Sequence, residues 1–321
     1  MSLSIEDATR FAQVFKNLVS GVSVAVLDKR QAVRLALTTM FAGGHLLLED
    51  APGTGKTALA RAISAVIDGT HSRIQFTPDL LPSDITGVNM FNQKTGEWVF
   101  HAGPVFAEIV LADEINRASP KTQSALLEVM EEAQVTVDGV RRPAPQPFMV
   151  IATQNPVEQA GTYPLPEAQL DRFLMKTSIG YPSRSAMIDV LDGSASPDRS
   201  KNLQPMVSGQ DIVAWSALAA DNHTDRAVLD YVAALAEATR EDESSMLGVS
   251  TRGAIGMVRC TRVWAAAQGR NFVLPDDVKD LAVPVWAHRI LVDPDASFSG
   301  ATGEGVIKRA LTTVPAPAVG A

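Results

Sequence analysis

Apolar positions along this chain follow two rhythms. Phe11, Val14, Phe15 and Leu18 fall at helical spacing, and Val33, Leu35, Leu37, Met40 and Phe41 follow it less strictly. Residues 5–42 are therefore expected to form two helices, with a break at Gly21. Uninterrupted apolar runs come next, at 46–48, 109–112 and 148–151. Each is short and bounded by polar residues, as expected of a strand buried on both faces. Arg73–Phe76 and Leu174–Ile179 read as two further strands. Helical patterns separate them: 57–67, a short start at Ser83-Asp84, and a helix from Pro120 to about Glu132. Ser119 is placed to cap that last helix, with proline at its first position. Strands alternating with helices predict an α/β fold with a parallel sheet.

Two stretches interrupt the alternation. In residues 88–103, Phe91, Trp98, Val99 and Phe100 flank the turn-forming Asn92–Gly96. This is expected to be a β-hairpin inserted into helical sequence, with the helix restarting at Val105. Trp98 and Phe100 are costly to expose without a use, unless they pack on the domain itself. The second stretch is 135–141, where Asp138-Gly139 between β-branched residues predicts a tight hairpin. Pro143, Pro145 and Pro147 then suggest a stiff connector. The pattern changes again near Tyr181-Pro182-Ser183. Residues 193–209 are rich in Gly, Ser, Pro and Asp and read as a linker. Helices are expected at about 210–220, 225–240, 251–268 and 275–289, followed by a Pro/Ala-rich tail.

Composition narrows the class. The chain has 321 residues, 46% hydrophobic and 20% charged, with a net charge of -8. That is an ordinary globular composition, sufficient for about two domains. The acidic balance argues against a broad nucleic-acid-binding face. Cys260, the single cysteine, cannot form an internal disulfide and is expected in the core. Met1–Lys16 carries Glu6 and Asp7 and lacks a basic start followed by an apolar run. No apolar run is long enough for membrane insertion. A reducing cytoplasm fits these features.

The chemistry sits at the ends of the predicted strands. After Leu46–Glu49 comes Asp50-Ala51-Pro52-Gly53-Thr54-Gly55-Lys56-Thr57-Ala58, leading into a helix. Strand, Gly-bearing loop and helix start form a phosphate cradle, with N–H groups and the helix dipole aimed at one spot. Lys56 supplies charge for the outer phosphates of a nucleotide and Thr57 a hydroxyl for Mg²⁺. Asp50 stands where the pattern has its first glycine. Asp113 and Glu114 end the apolar run 109–112, at the edge where open α/β sheets bind ligands. Asp113 is placed to hold Mg²⁺ with Thr57, through water, and Glu114 to polarise an attacking water. Taken alone, two acids can simply end a strand in solvent. Asn155 follows another buried strand and could bond the γ-phosphate or hold the water, or simply form a turn before Pro156. Arg172 is a candidate cation for a transferring phosphate, or a surface partner of Asp171 or Glu167. Spacing does not choose between these. Arg252 opens a helix after Ser250-Thr251 and could reach nucleotide or solvent. Leu18–Gly21, upstream of the cradle, could border an adenine ring.

Together these stretches resemble an AAA+ ATPase, and within that class the MoxR family. The likeness rests on Gly44–Glu49 leading to Pro52–Thr57, on Asp113-Glu114-Ile115-Asn116-Arg117-Ala118, on Ala152–Pro156, and on Pro166–Phe173. It implies a P-loop NTPase αβα sandwich followed by an all-helical lid. The expected domains are 1–182 for the nucleotide-binding part, 183–311 for the lid, and 312–321 as a disordered tail. By the same resemblance Asn155 corresponds to sensor 1, Arg172 to an arginine finger acting on a neighbouring subunit, and Arg252 to sensor 2. The hairpin at 88–103 corresponds to the helix-2 insert and that at 135–141 to the pre-sensor hairpin. Thr251 departs from the proline that often precedes the sensor-2 arginine. The resemblance also implies a homo-oligomeric, hexameric ring, a partner with a von Willebrand factor A domain, and a protein client. Three other readings compete. A DNA-translocating motor shares the inserted hairpin, but the acidic balance weighs against it. A nucleotide-gated scaffold would not need Lys56, Asp113 and Glu114 intact. A metabolite kinase would not need Arg172 or the helical lid.

Overall fold

The structure, a computed structural model, describes residues 3–50, 53–155, 162–192 and 199–317. In chain order the elements begin with α1 (Ile5–Ala25), α2 (Arg30–Phe41), β1 (Leu46–Glu49), α3 (Lys56–Val66) and β2 (His71–Gln75). Then come α4 (Pro82–Thr86), β3 (Gly87–Asn92), β4 (Glu97–Ala102), β5 (Ile109–Asp113) and α5 (Pro120–Glu132). They continue with β6 (Gln134–Val137), β7 (Val140–Pro143), β8 (Met149–Gln154), α6 (Glu167–Leu170), β9 (Met175–Thr177) and α7 (Arg184–Asp192). The chain ends with α8 (Gly209–Ala220), α9 (Arg226–Glu241), β10 (Ser245–Leu247), α10 (Thr251–Ala266), α11 (Pro275–Trp286), β11 (Leu291–Val292), α12 (Pro294–Phe298) and α13 (Gly303–Thr313). The chain divides into two compact units. One comprises 18–165 and 177–213, the other 1–17, 166–176 and 214–321.

The first unit is built on the parallel sheet, in the order β2-β5-β8-β1-β9. Leu46–Leu48, Ile109–Ala112 and Met149–Ala152 are all buried, as strands covered on both faces must be. Register places the strand ends together. Gln75 lies opposite Asp113, and Glu49 opposite Gln154. The C-terminal ends of β2, β5, β8 and β1 therefore share one edge of the sheet.

Both predicted hairpins form. Phe91 pairs with Trp98 across β3–β4. In the β6–β7 turn Asp138 (φ 51°) and Gly139 (φ 77°) both lie in the left-handed region that a tight turn needs. The two hairpins touch, through Asn89 Nδ2 donating to Asp138 Oδ2 at 2.6 Å and through Arg142, stacked 3.8 Å over the Phe100 ring. Phe100 also meets Phe106 edge-on at 5.8 Å. The aromatics thus divide: Phe100 packs on the domain, while Trp98 is 71% and Phe91 51% exposed.

Three local expectations are corrected. Helix α1 runs straight through Gly21. A Cβ there would meet Met206 Sδ at 2.7 Å, so this glycine marks a close approach rather than a helix end. No helix restarts at Val105. Pro104–Phe106 is a single 3-10 turn, after which the chain joins the sheet: the Glu108 carbonyl accepts the Met149 N–H at 2.8 Å. Pro143 does not open a connector but pairs with Gln134 in β7.

The second unit is mainly helical. Val228, Tyr231, Val232, Leu235 and Ala236 form the buried stripe of α9. Cys260 is in the core, and burial pushes its thiol up to about 12. Arg270 grips Asp277 through both terminal guanidinium nitrogens, at 2.8 and 2.5 Å. The short helices after residue 289 were not anticipated. Val306, Ile307 and Ala310 of α13 are buried. Among the described residues, no helix is long and apolar enough to cross a membrane.

Candidate nucleotide and metal site

The cradle begins where β1 ends. Gly53 and Gly55 have φ of 81° and 97°, a region other residues enter at a cost. A Cβ on either would meet nothing within 4 Å, so the loop faces open space. Gly55 is the N-cap of α3, whose first residue is Lys56. Lys56 is buried, and its Nζ donates to the Asp50 carbonyl at 3.1 Å. Asp50 is buried too. Its carboxylate accepts the N–H groups of Ile179 (2.5 Å) and Gly180 (2.9 Å). At the position of the missing first glycine, this side chain braces the loop against the segment after β9. Thr54 is buried, and Thr57 and Ala58 are half-buried in the first turn of α3. Ala51 and Pro52 lie outside the described residues.

A cavity of about 530 Å³ opens at this edge, lined by Gly53, Gly55, Lys56, Thr57, Arg73, Gln75, Asp113 and Glu114. Lys56, Thr57, Asp113 and Glu114 are thus brought together as expected. Asp113 Oδ1 accepts from Thr153 Oγ1 at 2.7 Å, and Thr153 in turn accepts the Glu114 N–H at 2.9 Å. Glu114 has φ 57° and ψ 50°, a strained conformation for this residue type. That bend turns the chain sharply at the end of β5, beside the cavity. Glu114 Oε2 accepts from Gln75 Nε2 at 2.8 Å and lies 3.3 Å from Arg117. Asn155 is buried just beyond β8, and Pro156 lies outside the described residues.

Sequence reasoning missed Arg73, Gln75 and Thr153. Arg73 bonds Asp113 Oδ2 at 2.6 Å, on the carboxylate expected to face Mg²⁺. The available signal was the two-residue spacing of Arg73 and Gln75 on β2, which puts both on one face of the strand.

The donor set fits a nucleotide with a divalent cation. An open glycine cradle, a buried ammonium, a hydroxyl and a carboxylate all border one cavity. Two family descriptions match the chain. The ATPase family associated with various cellular activities (AAA) matches residues 45–175, and the AAA lid domain matches 237–310. Chaperone MoxR1 of Mycobacterium tuberculosis is 40% identical over 92% of this chain and 80% of its own. The chain belongs to the MoxR family of AAA+ ATPases. Its relatives include YeaC of Bacillus subtilis, 44% identical over 93% of each chain. A solved structure from Cytophaga hutchinsonii superposes with a TM-score of 0.91 over 98% of each chain, at 36% identity. The expected αβα fold with a helical lid is therefore this MoxR protein's fold, and it is an ATPase.

Arg172 and Arg252 are grouped elsewhere, in the second unit. There Asp171 accepts from Ser250 Oγ at 3.2 Å, pairs with Arg289, and lies 3.9 Å from Arg252. Arg172 is half-buried, its N–H bonded to the Gln169 carbonyl at 3.2 Å. Next to Arg289, His288 is buried with its Nε2 3.0 Å from the Phe173 carbonyl, which makes it the Nε2–H tautomer. Desolvation, with Arg289 as neighbour, pushes its pKa down to about 3. The folded form thus refuses a proton that the unfolded chain takes up below about 6.5. Stability from this group is complete above that value and falls as pH drops. Between pH 7.5 and 5 the loss should reach about 2 kcal/mol. His288→Gln offers an amide N–H in place of the imidazole N–H but cannot titrate, so its urea midpoint should fall less over that interval. An equal fall in both proteins would disprove the assignment.

Proposed function

We propose that this MoxR protein hydrolyses Mg²⁺-ATP within a homo-oligomeric, hexameric ring and uses the cycle to remodel a protein client. The single observation that carries the reading is the convergence of Lys56, Thr57, Asp113 and Glu114 on one cavity. Lys56 and the loop N–H groups would bind the β- and γ-phosphates. Thr57 and Asp113 would hold Mg²⁺, with the Arg73 contact giving way to it. A bound Mg²⁺ neutralises charge on the phosphates. Glu114 takes the proton of the attacking water, and Asn155 orients that water. Arg172 serves a neighbouring subunit as its finger, and Arg252 is the sensor-2 candidate. The nucleotide-binding part is assigned to 1–182, the lid to 183–311 and a tail to 312–321, whose first two residues, Thr312 and Thr313, still close α13. The cytoplasm suits these features, and no DNA or RNA substrate is assigned.

MoxR1 is named a chaperone, and the exposed hairpin face supports a similar role here. Phe91 and Trp98 form a ring pair 5.5 Å apart and remain solvent-facing, while Phe100 is packed away. Such a surface suits contact with a client, and a partner with a von Willebrand factor A domain would present that client. The test is a Glu114→Gln trap loaded with ATP and mixed with cell extract, with and without residues 92–97. The trap should retain a client that the deletion loses, while the deletion in the wild-type background keeps basal ATPase within about twofold. Equal capture by both forms would remove the hairpin from the client surface. DNA-stimulated turnover would instead revive the translocating motor.

A further inference from the structure

One side chain holds the carbonyls of the residues on both sides of Arg172. Arg289 closes the 3-10 turn Ala287–Arg289 that follows α11, and its side chain is 2% exposed. Its Nη1 donates to the Asp171 carbonyl at 2.7 Å and to the Asp171 carboxylate. Its Nη2 donates to the Phe173 carbonyl at 2.7 Å. Its Nε donates to the Val285 carbonyl at 2.8 Å, which ties the guanidinium to its own helix. The neighbouring His288 adds a second bond to the Phe173 carbonyl. Arg289, His288, α10 and residues 166–176 all belong to the same compact unit.

Helix α10 is shaped around this arrangement. A Cβ on Gly253 would meet Arg289 Cδ at 3.0 Å, and one on Gly256 would meet Leu174 Cδ1 at 3.0 Å. Two glycines inside a helix weaken it, so their position over Arg289 and Leu174 has a local reason. The N-cap of the same helix, Ser250, gives its hydroxyl to Asp171. Burying a guanidinium costs several kcal/mol unless it is fully paired, and an apolar side chain would fill the space at less cost. Full pairing to the residues on either side of Arg172 gains geometric definition instead.

We propose that Arg289 is a positioning residue for Arg172. It fixes the carbonyls of Asp171 and Phe173, the residues before and after Arg172, so that the guanidinium reaches a neighbouring subunit's γ-phosphate in one defined pose. A misplacement of about 1 Å at such a group can cost on the order of 10²-fold in rate. This inference rests on the finger role of Arg172 given above.

The test compares Arg289→Lys, Asp171→Asn and Arg172→Ala in steady-state ATPase assays, each alone and mixed with Lys56→Ala. Arg289→Lys should lower kcat by roughly 10- to 100-fold and leave KM and ATP affinity near wild type. Asp171→Asn should give a smaller fall of the same kind. Mixed rings with Lys56→Ala should regain turnover, because the Lys56→Ala chains carry an intact finger to a competent site. A purely structural defect in the variant's own site would gain nothing from that mixing. The double variant Arg172→Ala/Arg289→Lys should be no slower than Arg172→Ala alone. If Arg289→Lys does not fold, Asp171→Asn carries the same expectations. Near-normal kcat in both clamp variants, beside a slow Arg172→Ala, overturns the positioning role and leaves the finger standing. Loss that mixing does not restore also overturns it. Full turnover by Arg172→Ala removes the finger reading itself, and this inference with it.

Discussion

If Glu114 is the general base proposed above, Glu114→Gln should bind ATP with near wild-type affinity and hydrolyse it at least ~10²-fold more slowly, the usual loss when a positioned general base is removed. The substitution is nearly isosteric. Its side-chain oxygen can still accept from Gln75 Nε2, which lies 2.8 Å from the Glu114 carboxylate. The strained backbone at Glu114 is held by the Thr153 hydroxyl through the main chain, so it does not depend on the carboxylate. What disappears is the proton acceptor. Lys56→Ala should fail at the earlier step. Its ammonium is buried beside the open cradle and is held there by the Asp50 carbonyl. Without it the phosphates lose a charge-assisted contact, and ATP affinity should fall roughly tenfold or more. Nucleotide titration and phosphate release separate the two effects. Tight ATP binding by the Lys56 variant, or normal turnover by the Glu114 variant, would reverse the roles assigned here.

The residues of this site that were legible in the sequence are the ones contiguous with a strand end. Lys56 and Thr57 follow β1 directly, and Asp113 and Glu114 end β5, so local pattern alone placed them at a sheet edge. Arg73 and Gln75 reach the same cavity, and Thr153 its acidic residues, through strand order. Nothing local says that β2 and β8 flank β5, and only that pairing puts Arg73 on Asp113 and Thr153 between Asp113 and Glu114. Asp50 could be recognised as a departure, but its reason lies 129 residues away at Ile179. Gly21 shows the same limit from the other side. A glycine within a helical pattern reads as a break, yet here it admits the Met206 side chain. Arg289 was hidden because a basic residue at the end of a helix usually serves the helix dipole in solvent. Its burial is a tertiary fact. The hairpin at 87–102, by contrast, announced itself through its turn residues, and the structure added which aromatics face outward.

On the proposed finger role, Arg172→Ala should bind ATP nearly normally and hydrolyse it on the order of 10³-fold more slowly, the scale at which a guanidinium offsets charge in phosphoryl transfer. The motive is the investment around this residue. Asp171 beside it gathers Arg289, Ser250 and Arg252, and the carbonyl after it is held by Arg289 and His288. A surface arginine with no further task needs no such frame. Because a finger serves a neighbour's nucleotide, wild-type hydrolysis should rise more than linearly with protein concentration over the range in which rings assemble. Arg172→Ala and Lys56→Ala are each defective for different halves of one interface. Mixed, they should recover part of the activity, since an intact cradle on one chain can meet an intact finger on the next. Monomers that turn over ATP at the full rate would contradict the shared site. So would two variants that co-assemble, as shown by light scattering, yet never complement. In either case Arg172 would be an ordinary salt-bridge residue, and the frame around Asp171 would serve only the fold of its own unit.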